Sequence, residues 1–262
     1  MRFAMAQRGE VHDSAALIVD GLSVHYGGFC AVNGLSLDLP RGSVRGLIGP
    51  NGAGKTTAFN ALCGYVAPSA GKVWIDGKPL RPKSPIAAWK AGIARTFQRT
   101  EVFWTLTVRE HVELANRRSV RRGLDPLRAD DLLPMLRLSA VESTIAAGLP
   151  LGTLRLLEFA RAIATGANII LMDEPCSGLD RQETTELEYV LREIQERLGL
   201  SLLIVEHDIE FILSIAECVF VLDSGRLIAS GSPDDIRKSA AVRRAYLGGA
   251  EIDEATPLTS LT

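Results

Sequence analysis

The chain has 262 residues, 47% of them apolar and 23% charged, a globular composition that excludes a fibrous or disordered protein. Its formal net charge of −2 excludes the global basic field that grips nucleic acid and leaves room only for a local patch. The 4 cysteines, at 30, 63, 176 and 218, form no C-x-x-C pair, and a chain of this length needs no disulfide staple, so reduced cytosolic thiols are expected.

Residues 1–16 carry Arg2 and Arg8 without an apolar h-region and read as a frayed extension, not a secretory signal. Leu17–Tyr26 predicts a strand ended by Gly27-Gly28, and Leu35–Leu39 a second, alternating with period two before Pro40. Val44–Ile48 is a short apolar run ending in glycine, and Gly54–Gly64 behind it reads as a helix. Lys72–Asp76 is a further strand, turned by Asp76-Gly77. From Thr107 to about Arg161 the pattern turns helical and charged, with Arg117-Arg118 and Arg121-Arg122 on a solvated face. Strands and helices then alternate. Asn168–Met172 is a buried strand, and Arg181–Leu198 a helix with its apolar stripe at Leu187, Val190, Leu191, Ile194 and Leu198. Ser201–Val205 and Cys218–Leu222 are strands on either side of the helix Asp208–Ala216, and the turn Asp223-Ser224-Gly225 leads into Arg226–Ala229. The last dozen residues are polar and expected to be loose. No stretch reaches the ~18–20 uninterrupted apolar residues of a membrane span. Short β-α-β units of this kind imply an α/β fold with a mainly parallel sheet between helices.

The segment Gly49-Pro50-Asn51-Gly52-Ala53-Gly54-Lys55-Thr56-Thr57 contains G-x-x-x-x-G-K-[ST], between an apolar strand and a helix. Its glycines let successive N–H groups turn inward as an anion nest, and the following helix aims its positive end at the same point. Asn51, Gly52, Ala53, Gly54, Lys55, Thr56 and Thr57 are the expected phosphate contacts. Lys55 is expected to reach the outer phosphates and the Thr56 hydroxyl to ligate Mg²⁺. Ile169–Glu174 is an apolar strand ending in two carboxylates. In P-loop NTPases such a strand is expected beside Val44–Ile48, with Asp173 on Mg²⁺ and Glu174 placed to polarise a water for attack on the γ-phosphate.

With these motifs in place, the chain resembles the ATP-binding subunits of ABC transporters from about Leu17 to Leu247. Gln98, closing Ala94-Arg95-Thr96-Phe97-Gln98, resembles the Q-loop glutamine, which the resemblance places near Mg²⁺, water and the membrane subunit. Ser177-Gly178-Leu179-Asp180 resembles the D-loop, although Asp180 with Glu183 also makes a helix-capping pair. Glu206-His207-Asp208 resembles the switch region, with His207 toward the γ-phosphate, and Tyr26 matches the aromatic that stacks on adenine. The segment Leu149–Ile163 stands where the family has its Leu-Ser-Gly-Gly-Gln signature, with Pro150 and Thr153 as departures and Gly152 kept. Pro150, Gly152, Arg155, Leu157, Glu158, Ala160, Arg161 and Ala162 match the version found in branched-chain amino acid importers. Gly92–Gln98 and Ala245-Tyr246-Leu247-Gly248 look like the same subfamily. Thr153, Leu154 and Leu156 depart from it, and the stretch between Val112 and Leu149 is shorter than its helical region.

The resemblance implies a P-loop NTPase (RecA-like) core with an antiparallel β subdomain and a small helical subdomain at about 105–160, in one domain spanning 17–247, with an extension at 1–16 and a tail at 248–262. It implies an ATP- and Mg²⁺-dependent ATPase on the cytoplasmic face of the membrane, powering uptake of branched-chain or related amino acids. Implied partners are membrane permease subunits, a second ATP-binding subunit in a homo- or heterodimer, and an extracytoplasmic solute-binding protein, with no nucleic acid. Each ATP would lie between the phosphate loop of one subunit and the Gly152 segment of the other. The permease contact is expected around Gln98–Glu110, with Phe103 and Trp104 as apolar candidates. Urea or a carboxylate are alternative solutes. A soluble, regulatory ABC-type ATPase, such as one acting on DNA or ribosomes, is an alternative opposed by the chain's length and its lack of a basic footprint. A non-catalytic nucleotide-binding partner that only regulates a complex is kept open by the altered signature and opposed by intact Lys55, Asp173, Glu174 and His207. A P-loop kinase would leave Gly152, Asp180 and His207 unexplained.

Overall fold

The computed structural model describes residues 15–81, 83–120 and 126–247. The expectations for residues 1–14, for Arg121-Arg122, for the Arg118 side chain and for the tail from 248 lie outside them. Two sheets build the molecule. The antiparallel one has β1 (Ala15–Tyr26), β2 (Phe29–Pro40), β4 (Ala70–Ile75) and β5 (Lys78–Leu80), in the order β2-β1-β4-β5. Ala15 and Ala16 are already buried strand residues, so β1 starts two positions before the expected Leu17. The β4–β5 turn runs through Asp76 and Gly77, both left-handed at φ 49 and 72, as a two-residue hairpin demands.

The central sheet holds β3 (Val44–Ile48), β6 (Ile93–Arg95), β7 (Ile169–Asp173), β8 (Ser201–Val205), β9 (Cys218–Asp223) and β10 (Arg226–Gly231). The order is β10-β9-β3-β8-β7-β6, parallel throughout except for β10, which hairpins onto β9. This corrects one expectation. The carboxylate-bearing strand β7 is not the neighbour of β3, because β8 lies between them. All five β8 residues are buried, and a strand apolar on both faces takes an interior place with a partner on each edge. Val205 pairs with Leu47 on one side and with Asp173 on the other. Glu206-His207 therefore emerge between the phosphate loop and Asp173-Glu174.

Alternate residues of the central strands serve two cores. Leu47, Leu171, Leu203, Val205 and Phe220 face the antiparallel sheet and α1 (Lys55–Leu62). Ile48, Ile170, Met172, Ile204 and Val221 face the opposite layer. That layer includes α5 (Leu151–Ala164), α6 (Arg181–Leu198) and α7 (Ile209–Ile215). Its anchor Phe159 is fully buried, and truncating such a residue to Ala costs about 3–5 kcal/mol. The short α2 (Pro85–Lys90) leads into β6, while α3 (Val108–Val120) and α4 (Ala129–Met135) pack beside α5. The helices α8 (Pro233–Lys238) and α9 (Ala240–Leu247) end the described residues, packed against β10. No helix of the described residues is long and apolar enough to cross a membrane.

Candidate active site

The phosphate loop bridges β3 and α1, and two of its glycines are sterically obligatory. A Cβ on Gly49 would lie 2.1 Å from the Leu222 carbonyl oxygen, and one on Gly54 2.4 Å from that of Ala31. Gly52, at φ 80, meets nothing within 4 Å, so only its backbone conformation demands glycine. The loop is braced by Ala53 N–H to Pro50 O at 3.1 Å and by Gly225 N–H to Ala53 O at 3.0 Å. Helix α1 starts on Gly54, which has no capping side chain, and no acidic residue stands in its first turn. Its leading N–H groups and positive end are thus offered to an anion. Lys55 is 6% exposed and donates to the Gly49 carbonyl at 2.6 Å and the Pro50 carbonyl at 3.2 Å. Burial lowers its pKa, against the opposing pull of Glu174, Asp173 and Glu206.

At the end of β7, Asp173 Oδ2 accepts from Arg95 Nη2 at 2.5 Å, and both side chains are buried. The other Arg95 nitrogen donates to Asn60 Oδ1 at 2.6 Å. The next residue, Glu174, is left-handed at φ 48 and its N–H donates to Val205 O at 2.8 Å. That kink ends the strand and turns the side chain toward Gln98, whose Nε2 donates to Glu174 Oε2 at 2.6 Å. His207 Nδ1 lies 3.7 Å from Glu174 Oε2 and 3.6 Å from Glu206 Oε2. Glu206 is fully buried and accepts from the N–H groups of Cys176 at 2.7 Å, His207 at 3.0 Å and Asp208 at 3.4 Å. Burial raises its pKa and, with Glu206 alongside, that of the Cys176 thiol, while Cys63 is pushed up to about 11. Neither thiol is a thiolate near neutral pH.

The structure brings Lys55, Gln98, Asp173, Glu174 and His207 into one cluster. Asp180 and Gly152 meet elsewhere, at Glu183. Asp180 caps α6 by accepting from Glu183 N–H at 2.8 Å, and a Cβ on Gly152 would lie 3.2 Å from Glu183 Oε1. Helix α5 starts on Pro150 without a side-chain cap. Tyr26 is half-exposed, opposite Phe29 in the β1–β2 hairpin. Asn51 and Thr56 are exposed and Thr57 half-buried. The donor set Thr56 hydroxyl, Asp173 carboxylate and Gln98 amide oxygen consists of hard oxygens, which suits Mg²⁺ with a phosphate chain completing the shell.

Sequence reasoning assigned no role to Arg95, Glu206 or Arg155. A charge inside the strand-like run Ile93–Phe97, and a carboxylate directly after the apolar run Leu202–Val205, were available signals. A cavity of about 370 Å³ opens between α2, β6, α3 and α5, lined by Tyr65, Ile86, Trp89, Phe97, Phe103 and Leu114 among others. Phe103 and Trp104 are half-exposed at this groove's loop. Buried His111 clamps the loop, accepting from Phe103 N–H at 2.9 Å and donating through Nδ1 to Thr107 O at 2.7 Å.

The ABC transporter family pattern matches residues 32–177, and that of the branched-chain amino acid ATP-binding cassette transporter matches residues 226–252. The high-affinity branched-chain amino acid transport ATP-binding protein LivG of Salmonella typhimurium is 35% identical over 252 residues, covering 89% of this chain and 98% of that protein. Its counterpart BraF of Pseudomonas aeruginosa is 34% identical over 254 residues, covering 89% and 98%. The lipopolysaccharide export system ATP-binding protein LptB of Haemophilus influenzae is 31% identical over 236 residues, covering 88% and 97%. The solved ADP conformation of an ATP-binding cassette of an ABC transporter superposes with a TM-score of 0.79 at 27% identity, covering 89% of this chain and 99% of that one.

Proposed function

The chain belongs to the ABC transporter family of ATP-binding subunits, and from that premise we propose that it hydrolyses ATP to power uptake of branched-chain or related amino acids through separate membrane subunits. One observation carries the catalytic part: Lys55, Gln98, Asp173, Glu174 and His207 converge where β3, β7 and β8 end. In this reading the N–H groups of Asn51–Thr57 and the Lys55 ammonium hold the β- and γ-phosphates, and Tyr26 stacks on adenine. Thr56, Asp173 and Gln98 hold Mg²⁺, which neutralises charge on the phosphate oxygens. Glu174, steered by the Gln98 amide, takes a proton from the attacking water, and His207 faces the γ-phosphate. Gly152 and Asp180 act across a dimer, closing the partner's nucleotide site.

The aromatic groove beside Gln98–Glu110 is the proposed permease contact, because its rings stand at a 370 Å³ cleft next to the Gln98 loop. One observation favours a heterodimer: Pro150 and Thr153 give α5 no capping side chain and no side-chain amide for a partner's phosphate. A second ATPase subunit with a fuller signature would then provide the better half-site. The test is affinity purification from native membranes. Two hydrophobic permease subunits, a second ATPase subunit and an extracytoplasmic binding protein would support the reading. The bound solute of that last protein would decide between branched-chain amino acids, urea and carboxylates. A complex without membrane protein would overturn transport and favour a soluble regulatory ATPase.

A further inference from the structure

We propose that Arg155 and Glu158, on one face of α5, link the aromatic groove mechanically to the hydrolysis site. The Arg155 side chain is 6% exposed and its guanidinium fork reaches four acceptors. One nitrogen donates to Phe97 O at 3.3 Å and to Glu158 Oε2 at 3.0 Å. The other donates to Gln98 O at 2.9 Å and to Ser177 O at 3.2 Å. The second carboxylate oxygen of Glu158 accepts the Glu101 N–H at 2.8 Å. One turn further on, Arg161 donates to Glu101 O and lies over the Phe103 ring at 5.7 Å. Positions 155, 158 and 161 share a helix face by their spacing.

Residues 96–106 contain no helix or strand. Backbone bonds tie Thr96 to Leu171, and Trp104 and Leu106 to Ala147 and Ala146, and between these anchors residues 97–103 are held by side-chain contacts. Those contacts come in sequence order: Phe97 and Gln98 to Arg155, Glu101 to Glu158 and Arg161, Phe103 to Arg161 and His111. The same guanidinium holds Ser177, three residues past Glu174, while the Gln98 side chain holds Glu174 itself. A movement of the groove loop therefore reaches Gln98 and Ser177 together, through one rigid group. A lysine could not replace it, because a single ammonium on a flexible stem cannot span carbonyls from two separate loops and a carboxylate as a planar fork does. Arg155 is thus a positioning residue for the ATPase reaction. The inference rests on the proposed ATP-driven function and goes beyond it.

The experiment uses the full-length chain with Trp74→Phe and Trp89→Phe, so that Trp104, next in sequence to the groove-lining Phe103, is the emitting tryptophan. A slowly hydrolysed ATP analogue with Mg²⁺ is the probe. Its affinity is measured by calorimetry, Trp104 emission by fluorescence, and kcat and KM with ATP. The unaltered relay should give a nucleotide-dependent emission change. Arg155→Lys and Glu158→Gln should lose most of that change, with affinity within about threefold and kcat down by up to about 10²-fold at similar KM, the scale of a small misplacement of a catalytic group. Arg155→Lys keeps a cation beside Glu158, so it decides the matter if Arg155→Met fails to fold. An undiminished emission change in a folded Arg155→Lys chain overturns the link. Binding of the analogue with no Trp104 response in the parent chain overturns the link alone. A parent chain that does not bind the analogue overturns the proposed function as well.

Discussion

Arg95→Met breaks the buried ion pair at the end of β7, and with it the hydrogen bond to Asn60. Arg95 Nη2 lies 2.5 Å from Asp173 Oδ2, with side chains 7% and 5% exposed, so solvent screens the pair little. Methionine keeps apolar bulk against the rings of Phe59, Tyr65 and Phe97, which stand 5.0–5.8 Å from the guanidinium carbon. What it removes is chiefly the counter-charge of Asp173, since Asn60 is a neutral partner. Leaving one member of a buried pair unpaired costs about 3–5 kcal/mol. At about 2–4 °C per kcal/mol for a chain near this size, Tm should fall by about 6–20 °C. Lys55 replaces the lost charge only in part, because two of its three N–H donors go to the Gly49 and Pro50 carbonyls. A divalent cation held by Asp173 can replace it. Mg²⁺ with ATP should therefore raise the Tm of the variant more than that of the wild type. Scanning calorimetry of both chains in EDTA, in Mg²⁺ alone and in Mg²⁺ with ATP reads both effects. A variant melting within about 2 °C of wild type in EDTA would refute the buried-pair argument, since that is less than about 1 kcal/mol. A ligand-induced rise no larger than that of wild type would refute the charge replacement.

Glu174→Gln should retain ATP affinity and lose about 10²–10⁴ in turnover, as for a lost general base; near-normal turnover by phosphate release would remove Glu174 from that role. Gly52→Ala should cost only the left-handed strain of about 1–2 kcal/mol, whereas Gly54→Ala adds backbone overlap with Ala31 and should abolish ATP binding. Melting and ATP titration of the two side by side check this, and equal losses would contradict the geometry. Burial holds the Glu206 carboxyl above the ordinary glutamate value of 4.5. Its contribution to stability is therefore full below about pH 4.5 and lost as pH rises through the folded value. The stability difference, wild type minus Glu206→Gln, should be larger at about pH 4.5 than at about pH 7.5 in urea unfolding, and the reverse order would be inconsistent with that burial. Finally, Pro150→Ser with Thr153→Gln should raise the ATP turnover of the purified chain alone. Full turnover by the unaltered chain in isolation would end the heterodimer argument.

The features legible in the sequence were those fixed by neighbours along the chain. The phosphate loop is an eight-residue pattern between a strand and a helix. The helix Arg181–Leu198 and the strand Ser201–Val205 fell at their expected ends, because a capping box, Gly199 at φ 63 and an unbroken apolar run mark them locally. The order of strands was not legible. Val44–Ile48, Ile169–Asp173 and Ser201–Val205 are all short runs of similar apolar character, and nothing in them says which two flank the third. The three short helices beginning at Pro85, Pro233 and Ala240 went unread, although Ser84-Pro85 and Ser232-Pro233 carry start signals. Arg155 was visible as a residue type shared with a subfamily. Its action was hidden, because its partners are 57 and 58 positions before it and 22 after it.

Three carboxylates crowd the ends of β7 and β8, and their surroundings assign them different work. Asp173 is tied by Arg95 and is almost wholly buried, so it is fixed in direction and suited to holding a cation. Glu206 is fully buried and saturated by three backbone N–H groups, which makes it the fastener of the Cys176 and His207 segments and keeps water from its oxygens. Glu174 stands on left-handed backbone at φ 48, retains 16% side-chain exposure and is steered by one side-chain amide. Of the three, it alone combines a defined direction with contact to solvent, which is what activation of a water requires. Motif position and burial thus nominate the same residue by independent routes. The route through burial would hold for any sequence in which a strand kinks one residue past a buried carboxylate.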